Sequence, residues 1–258
     1  MQPHPDWIVP DWPAPAGVRA FVTTRAGGVS APPYDSLNLG DRTDDDPAAV
    51  AANKARVRAS LPADPRWLAQ VHGATVVHAD AVDGAVAADA SWTRTRSVVC
   101  AIKIADCMPV LLCDVRGDAV GAAHAGWRGL SAGVLEATMA AMAVPPGRIV
   151  AYLGPAIGPT AFEVGEDVLA AFLARDEGAA TAFAPLRPGK WLADLFTLAR
   201  RQLVAAGVTR IHGGTDCTVR DTRFFSHRRD RTTGRMAAFI WRDRIDDRGD
   251  AGGAATPV

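Results

Sequence analysis

The stretch AIKIADCMPVLLCDVRGDAVGAAHAGWRG, from Ala101 to Gly129, holds two apolar runs on either side of VRGD (115–118). The Gly-Asp pair has the chemistry of a tight turn, so the stretch reads as a β-hairpin in which partner residue numbers add to 232 or 233. Cys107 then lies almost opposite His124, and side chains so placed are about 5–8 Å apart. A thiol and an imidazole are presented together, close enough to share a metal ion or a proton. Both sit at the open end of the hairpin, where pairing gives way to Met108-Pro109 on one side and to GWRG (126–129) on the other. Sites are commonly built in such places.

Working outward, VRAFVTTR (18–25), WLAQVHGATVVHA (67–79), SVVCAIKI (97–104) and RIVAYLG (148–154) read as further strands, apolar or β-branched and bounded by Gly, Pro or Asp. RIHGGTDC (210–217) and MAAFIWR (236–242) read the same way. Residues 47–60, 129–143, 165–174 and 194–206 read as helices from their Ala, Leu and Arg content and spacing. Hairpin-like pairs mixed with helices predict an α+β or mixed α/β fold. Five prolines in the first fifteen residues and the tail DDRGDAGGAATPV predict loose ends, with a segment 1–17, a single domain over 18–245 and a flexible tail over 246–258.

With 258 residues and 48% hydrophobic content, the chain can bury a core without disulfides or metal. Its 28 basic and 28 acidic residues cancel, which argues against a nucleic-acid partner. The best apolar run, Val98 to Ile104, is interrupted by Lys103 and falls far short of the roughly 18–20 residues of a membrane span. The N-terminus lacks the pattern of a secretory signal, and four cysteines are too few for a secreted disulfide framework, so the expectation is a cytoplasmic protein with reduced thiols. Cys100 and Cys113 lie in apolar runs and read as buried small hydrophobes; His4, His78 and His212 read as structural or surface residues.

His72, in AQVHG, is a third candidate beside Cys107 and His124. Histidine, cysteine and histidine would leave an open fourth position on a catalytic zinc ion, with copper as the alternative. The spacing by itself does not carry His72 to the hairpin. Asp106, next to Cys107, is a candidate general base or ligand-orienting group. Arg25 before Gly27-Gly28 suggests an anion cradle, and Arg128 at a predicted helix start suggests another. The segment FFSHRRDRTTGRMA (224–237) is the densest in cations, Arg228 among them.

QVHG (70–73), ADCMPVLL (105–112), AAHAGWRG (122–129), LGPAIGPTAFEVG (153–165), FFSHRRD (224–230) and TGRMA (233–237) resemble, in the same order, the motifs of the laccase-domain family once called multicopper polyphenol oxidases. TTRAGGVS (23–30) and YDSLNLG (34–40), which contains Asn38, match its N-terminal part, so the resemblance covers about residues 18–242. It implies a single α+β domain of mixed β-sheets packed as a sandwich with flanking helices, and a zinc site on His72, Cys107 and His124. It also implies purine nucleoside phosphorylase activity on adenosine, inosine, guanosine and methylthioadenosine, with adenosine deamination as a side activity. On this reading Cys107, Asp106 and His124 are catalytic, while Arg25, Asn38, Arg128 and Arg228 bind substrate or phosphate. The protein would be a monomer or weak homodimer. Six histidines with no His-x-His pair argue against a true multicopper oxidase, though copper at the same three residues would allow weak phenol oxidation. The remaining rival is a cysteine hydrolase with Cys107 as nucleophile and His124 as base, a chemistry that suits editing of peptidoglycan precursors.

Overall fold

A computed structural model describes residues 3–243 of the chain. Its strands are β1 (Val18–Val22), β2 (Pro65–Arg66), β3 (Val76–His78), β4 (Ala90–Thr93), β5 (Val99–Ile104), β6 (Met108–Asp114), β7 (Val120–Ala125), β8 (Ile149–Leu153), β9 (Glu163–Gly165), β10 (Phe183–Arg187), β11 (Lys190–Ala193), β12 (Arg210–Gly213) and β13 (Met236–Arg242). The α-helices are α1 (Pro47–Arg58), α2 (Trp127–Ser131), α3 (Val134–Met142), α4 (Glu166–Leu173), α5 (Leu195–Ala205) and α6 (His227–Asp230).

Two mixed sheets form the sandwich. One has the order β1-β13-β5-β2 and the other β12-β8-β6-β7-β4-β3, with a small third sheet, β10-β11-β9, beside them. The hairpin register is Met108↔Ala125 through Cys113↔Val120, one of the two expected from the turn. Gly117, at φ +72°, makes the turn, and its N–H donates to the Asp114 carbonyl at 2.7 Å.

Alternation along the strands explains the layers, because successive side chains point to opposite faces. Cys100, Ile102 and Ile104 of β5 and Ala238 and Ile240 of β13 meet Leu111, Cys113, Val120 and Ala122 of the facing sheet to fill the sandwich. Val110, Leu112, Ala123, Ala151 and Leu153 point the other way, onto Leu130, Leu135, Leu198 and Leu203 of the helices. On the far side, Val99, Ala101, Phe239 and Trp241 are covered by Leu37, Leu39, Val57, Leu61 and Trp7. Strands buried on both faces read as continuous apolar runs, which is why β5, β6 and β7 stand out in the sequence. The fold is the expected α+β sandwich with flanking helices.

Three local expectations need correction. Residues 67–75, read as part of a strand, make only the single bridge Leu68↔Val86; beside it the Gln70 side-chain amide imitates a ladder, donating to the Lys103 carbonyl and accepting the Lys103 N–H, both at 2.8 Å. The helix expected over 129–143 starts at Trp127 and breaks at Gly133, whose φ of +90° is left-handed. Within the segment 1–17 expected to be loose, residues 3–17 are anchored to the sandwich: Trp7 is buried and stacks on Phe21 with ring centroids 5.1 Å apart, and Ile8 bridges to Val22. The apolar cost of leaving Trp7 in water outweighs the proline content. The tail 246–258 lies outside the described residues.

Candidate metal centre

The chain passes from one sheet of the sandwich to the other at Ala105–Asp106–Cys107, between the end of β5 and the start of β6. Asp106 makes that corner with φ +84°, in the left-handed region that non-glycine residues rarely occupy. Its carboxylate holds three other segments in place: Oδ1 accepts from the Thr218 hydroxyl at 2.6 Å and the Ser226 hydroxyl at 2.7 Å, and Oδ2 accepts the Arg228 N–H at 2.6 Å. Cys107 follows directly, so its sulfur emerges at the edge of the sandwich.

His124 is the penultimate residue of β7 and is almost fully buried. His72 is exposed and comes from the loop before β3, with φ +61°. The ligating atoms of His72, Cys107 and His124 lie within 4.8 Å of one another. The structure thus brings together the three residues that the spacing alone did not unite. Room for the sulfur depends on Gly126: a Cβ there would lie 2.7 Å from Cys107 Sγ.

The organiser of the cluster is Asp89, which the sequence reading missed. It is fully buried just before β4, and its Oδ1 lies 2.8 Å from His124 Nδ1. The same carboxylate accepts the backbone N–H groups of Val71, His72 and Gly73 at 3.2, 2.9 and 2.7 Å. It therefore fixes the His124 ring and the loop that carries His72. With Nδ1 engaged, Nε2 of His124 is the nitrogen left for a metal, the usual arrangement of a carboxylate behind a ligating histidine. The signal for Asp89 in the sequence is faint: a lone acid inside the apolar run AVAADASW (85–92).

The electrostatics suit a metal-binding thiolate. Burial acts to raise the Cys107 thiol, but His124 and His72 beside it outweigh this and bring it down to about 6. Burial acts to lower His124, and the Cys107 charge together with Asp89 pushes it up to about 9. Burial acts to raise Asp89 as well, yet the His124 hydrogen bond and the backbone N–H groups hold it below the ordinary carboxylate range. Cys100 and Cys113, by contrast, are fully buried and pushed up to about 12, as expected of small core residues.

The cluster opens into a cavity of about 890 Å³ lined by His72, Asp106, Cys107, His124, Arg128 and Arg228 among others. That is ample for a small-molecule ligand. Arg25 and Asn38 are not among its walls. Arg25 donates from Nη2 to Asp35 Oδ1 at 2.9 Å and lies over the Phe225 ring. Asn38 is fully buried, donating to Thr43 and Asp45 and accepting the N–H groups of Gly40 and Arg235. Both are fastenings of the loop that flanks the site. Arg128 is exposed over the Trp127 face at 4.4 Å. Arg228 is half-buried with Nη1 donating to the carbonyls of Ala161 and Glu163.

A profile of the family described as "multi-copper polyphenol oxidoreductase laccase" matches residues 19–243. The chain belongs to that family. Within it, the chain is 55% identical over 237 residues to the "Purine nucleoside phosphorylase PA4543" of Pseudomonas aeruginosa, covering 91% of this chain and 98% of that one. It is 54% identical over 239 residues to the "Purine nucleoside phosphorylase YfiH" of Escherichia coli (strain K12), with the same coverage. Among solved structures, protein NMB0706 of Neisseria meningitidis superposes with a TM-score of 0.90 at 52% identity, over 93% of this chain and 100% of that one. YlmD from Geobacillus stearothermophilus superposes with a TM-score of 0.85 at 34% identity, over 95% and 98%. The family description mentions several coppers, whereas among the described residues His72, Cys107 and His124 form one three-ligand cluster. Among those residues, no helix is long and apolar enough to cross a membrane.

Proposed function

We propose that this chain is a metal-dependent purine nucleoside phosphorylase, acting on adenosine, inosine, guanosine and methylthioadenosine, with adenosine deamination as a side activity. The observation that carries the reading is the meeting of His72, Cys107 and His124 at the wall of a cavity that also presents Arg128 and Arg228. The names of the relatives at 54–55% identity support it.

Two imidazoles and a low-pKa thiolate, backed by a buried carboxylate, are a donor set that fits zinc, and His72, Cys107 and His124 would hold it. A bound zinc ion supplies Lewis acidity at that end of the cavity. In phosphorolysis a phosphate oxygen bonds to ribose C1′ while the C1′–N9 bond breaks, and the departing purine takes up negative charge that a proton or hydrogen bond must meet. Arginines facing the cavity offset the charge of the phosphate dianion. Asp106, held by its three donors, keeps the Cys107 corner and the Arg228 segment in register rather than standing free as a base.

The test is chromatography of the metal-quantified protein incubated with adenosine, with and without phosphate. Phosphate-dependent adenine release, with about one zinc per chain, is the expected result; no turnover of any purine nucleoside by zinc-loaded protein overturns the reading. A second reading, a Cys107 nucleophile with His124 as its base, draws on the same low thiol pKa. It requires a free thiolate, so alkylation of zinc-loaded protein separates the two: the metal-site reading expects protection, the hydrolase reading expects modification and loss of activity.

A further inference from the structure

Arg235, in TGRMA just before β13, was given no role by the sequence motifs, yet it lines the cavity together with Cys107 and Asp106. The other cations on the walls are committed or exposed. Lys103 is 2.7 Å from Asp41, Arg66 donates to the Val82 carbonyl, and Arg228 is tied to two carbonyls. Arg42 and Arg128 are exposed, where water screens their charge.

Arg235, like Arg66 and Arg228, is bound through Nη1 to backbone carbonyls, but it is set apart by its desolvation, its braced stem and its place beside Cys107. It is half-buried, and burial holds its guanidinium below the ordinary arginine value, although it stays a cation at neutral pH. No carboxylate pairs with it among the described residues. Nη1 donates to the carbonyls of Thr233 and Gly234 at 2.8 and 3.0 Å, while Nε and Nη2 have no protein acceptor among those residues. The groups acting on it electrostatically are Cys107, Asp106 and Tyr34. Of these, Asp106 already accepts from Thr218, Ser226 and Arg228 and makes no hydrogen bond to Arg235. The backbone fixes the stem: the Arg235 N–H donates to Asn38 Oδ1 at 2.8 Å, and Cγ packs so close to Gly40 that a Cβ there would lie 2.8 Å from it. A desolvated, braced guanidinium with free donors beside a metal-ligating thiol is an anion receptor awaiting its anion.

We propose that Arg235 is the cation that binds the inorganic phosphate co-substrate, in preference to Arg25, Arg128 or Arg228. This rests on the phosphorylase reading above. A charge-assisted contact of this kind is worth about 1.5–3 kcal/mol, or roughly 10–150-fold in phosphate affinity.

The experiment compares zinc-loaded wild type, Arg235→Gln and Arg235→Lys. Phosphate binding is measured by isothermal titration of inorganic phosphate, and phosphorolysis is followed over a range of phosphate and inosine concentrations. The expected result is a phosphate Kd and KM raised about tenfold or more in Arg235→Gln, an inosine KM changed less than twofold, and partial recovery in Arg235→Lys. The lysine variant also guards against a mere folding defect, as does an unchanged zinc content. Phosphate affinity equal to wild type in Arg235→Gln overturns the assignment and leaves the phosphorylase reading standing. A wild-type protein that neither binds phosphate nor cleaves inosine overturns both.

Discussion

Asp89 Oδ1 lies 2.8 Å from His124 Nδ1 and 2.9 Å from the His72 amide nitrogen, so a single buried oxygen orients two of the three candidate ligands. Replacing Asp89 with Asn keeps the shape but removes the charge and turns an amide N–H toward other donors. Metal affinity is expected to fall about 10–100-fold. Competition against a chelator of known affinity measures it, and wild-type retention of zinc by Asp89→Asn would exclude this role.

Gly126 leaves no room for a side chain, because an added Cβ would lie 2.7 Å from Cys107 Sγ. Gly126→Ala is expected to displace the sulfur and lose most bound zinc, while the melting temperature of the metal-free protein changes only by the few degrees that correspond to about 1 kcal/mol. Metal analysis after gel filtration, beside a thermal melt, tests both halves.

In metal-free protein the Cys107 thiol sits at about 6 and His124 at about 9, so between those values the pair stands as thiolate and imidazolium. A thiol ionises as pH rises through its pKa. The rate of iodoacetamide reaction at Cys107 is therefore expected to climb through pH about 6, not through the ordinary 9, and to fall sharply when zinc is added. Mass spectrometry of the labelled peptide across pH 5–9 reads this out, and a midpoint near 9 would remove the thiolate.

Leu111 is fully buried between the two large sheets. Leu111→Ala is expected to cost about 2–5 kcal/mol through lost burial and the cavity left behind. Urea unfolding measures it, and a cost under about 1 kcal/mol would mean that the two sheets pack less closely than described.

Much of this was written in local sequence. The register from Met108↔Ala125 onward follows from one turn and the period of a strand, and it sets Cys107 beside His124 without any long-range knowledge. Other features depend on contacts that a linear reading does not contain. Val71, Val76 and Val77 give residues 67–79 a strand-like look, but the loop around His72 takes its shape from Asp89, in a different segment. Arg25 before a Gly-Gly turn has the composition of an anion cradle, and Asn38 came with the family motif; their partners Asp35, Thr43 and Asp45 turn them into fastenings. Arg235 lies in the cation-dense segment 224–237, but that it makes no ion pair among the described residues is a property of the folded surroundings alone.

The corner at Ala105–Asp106–Cys107 joins the two large sheets, while His124 stands on only one of them and His72 on a loop pinned beside it. A zinc ion shared by these residues would act as a rivet through the seam of the sandwich. The unfolded chain scatters the same ligands across 72–124, so metal would favour the native state by mass action, and the temperature at which the sheets part would rise with zinc concentration. Catalytic readiness and the endurance of the fold would then be set by the same ion.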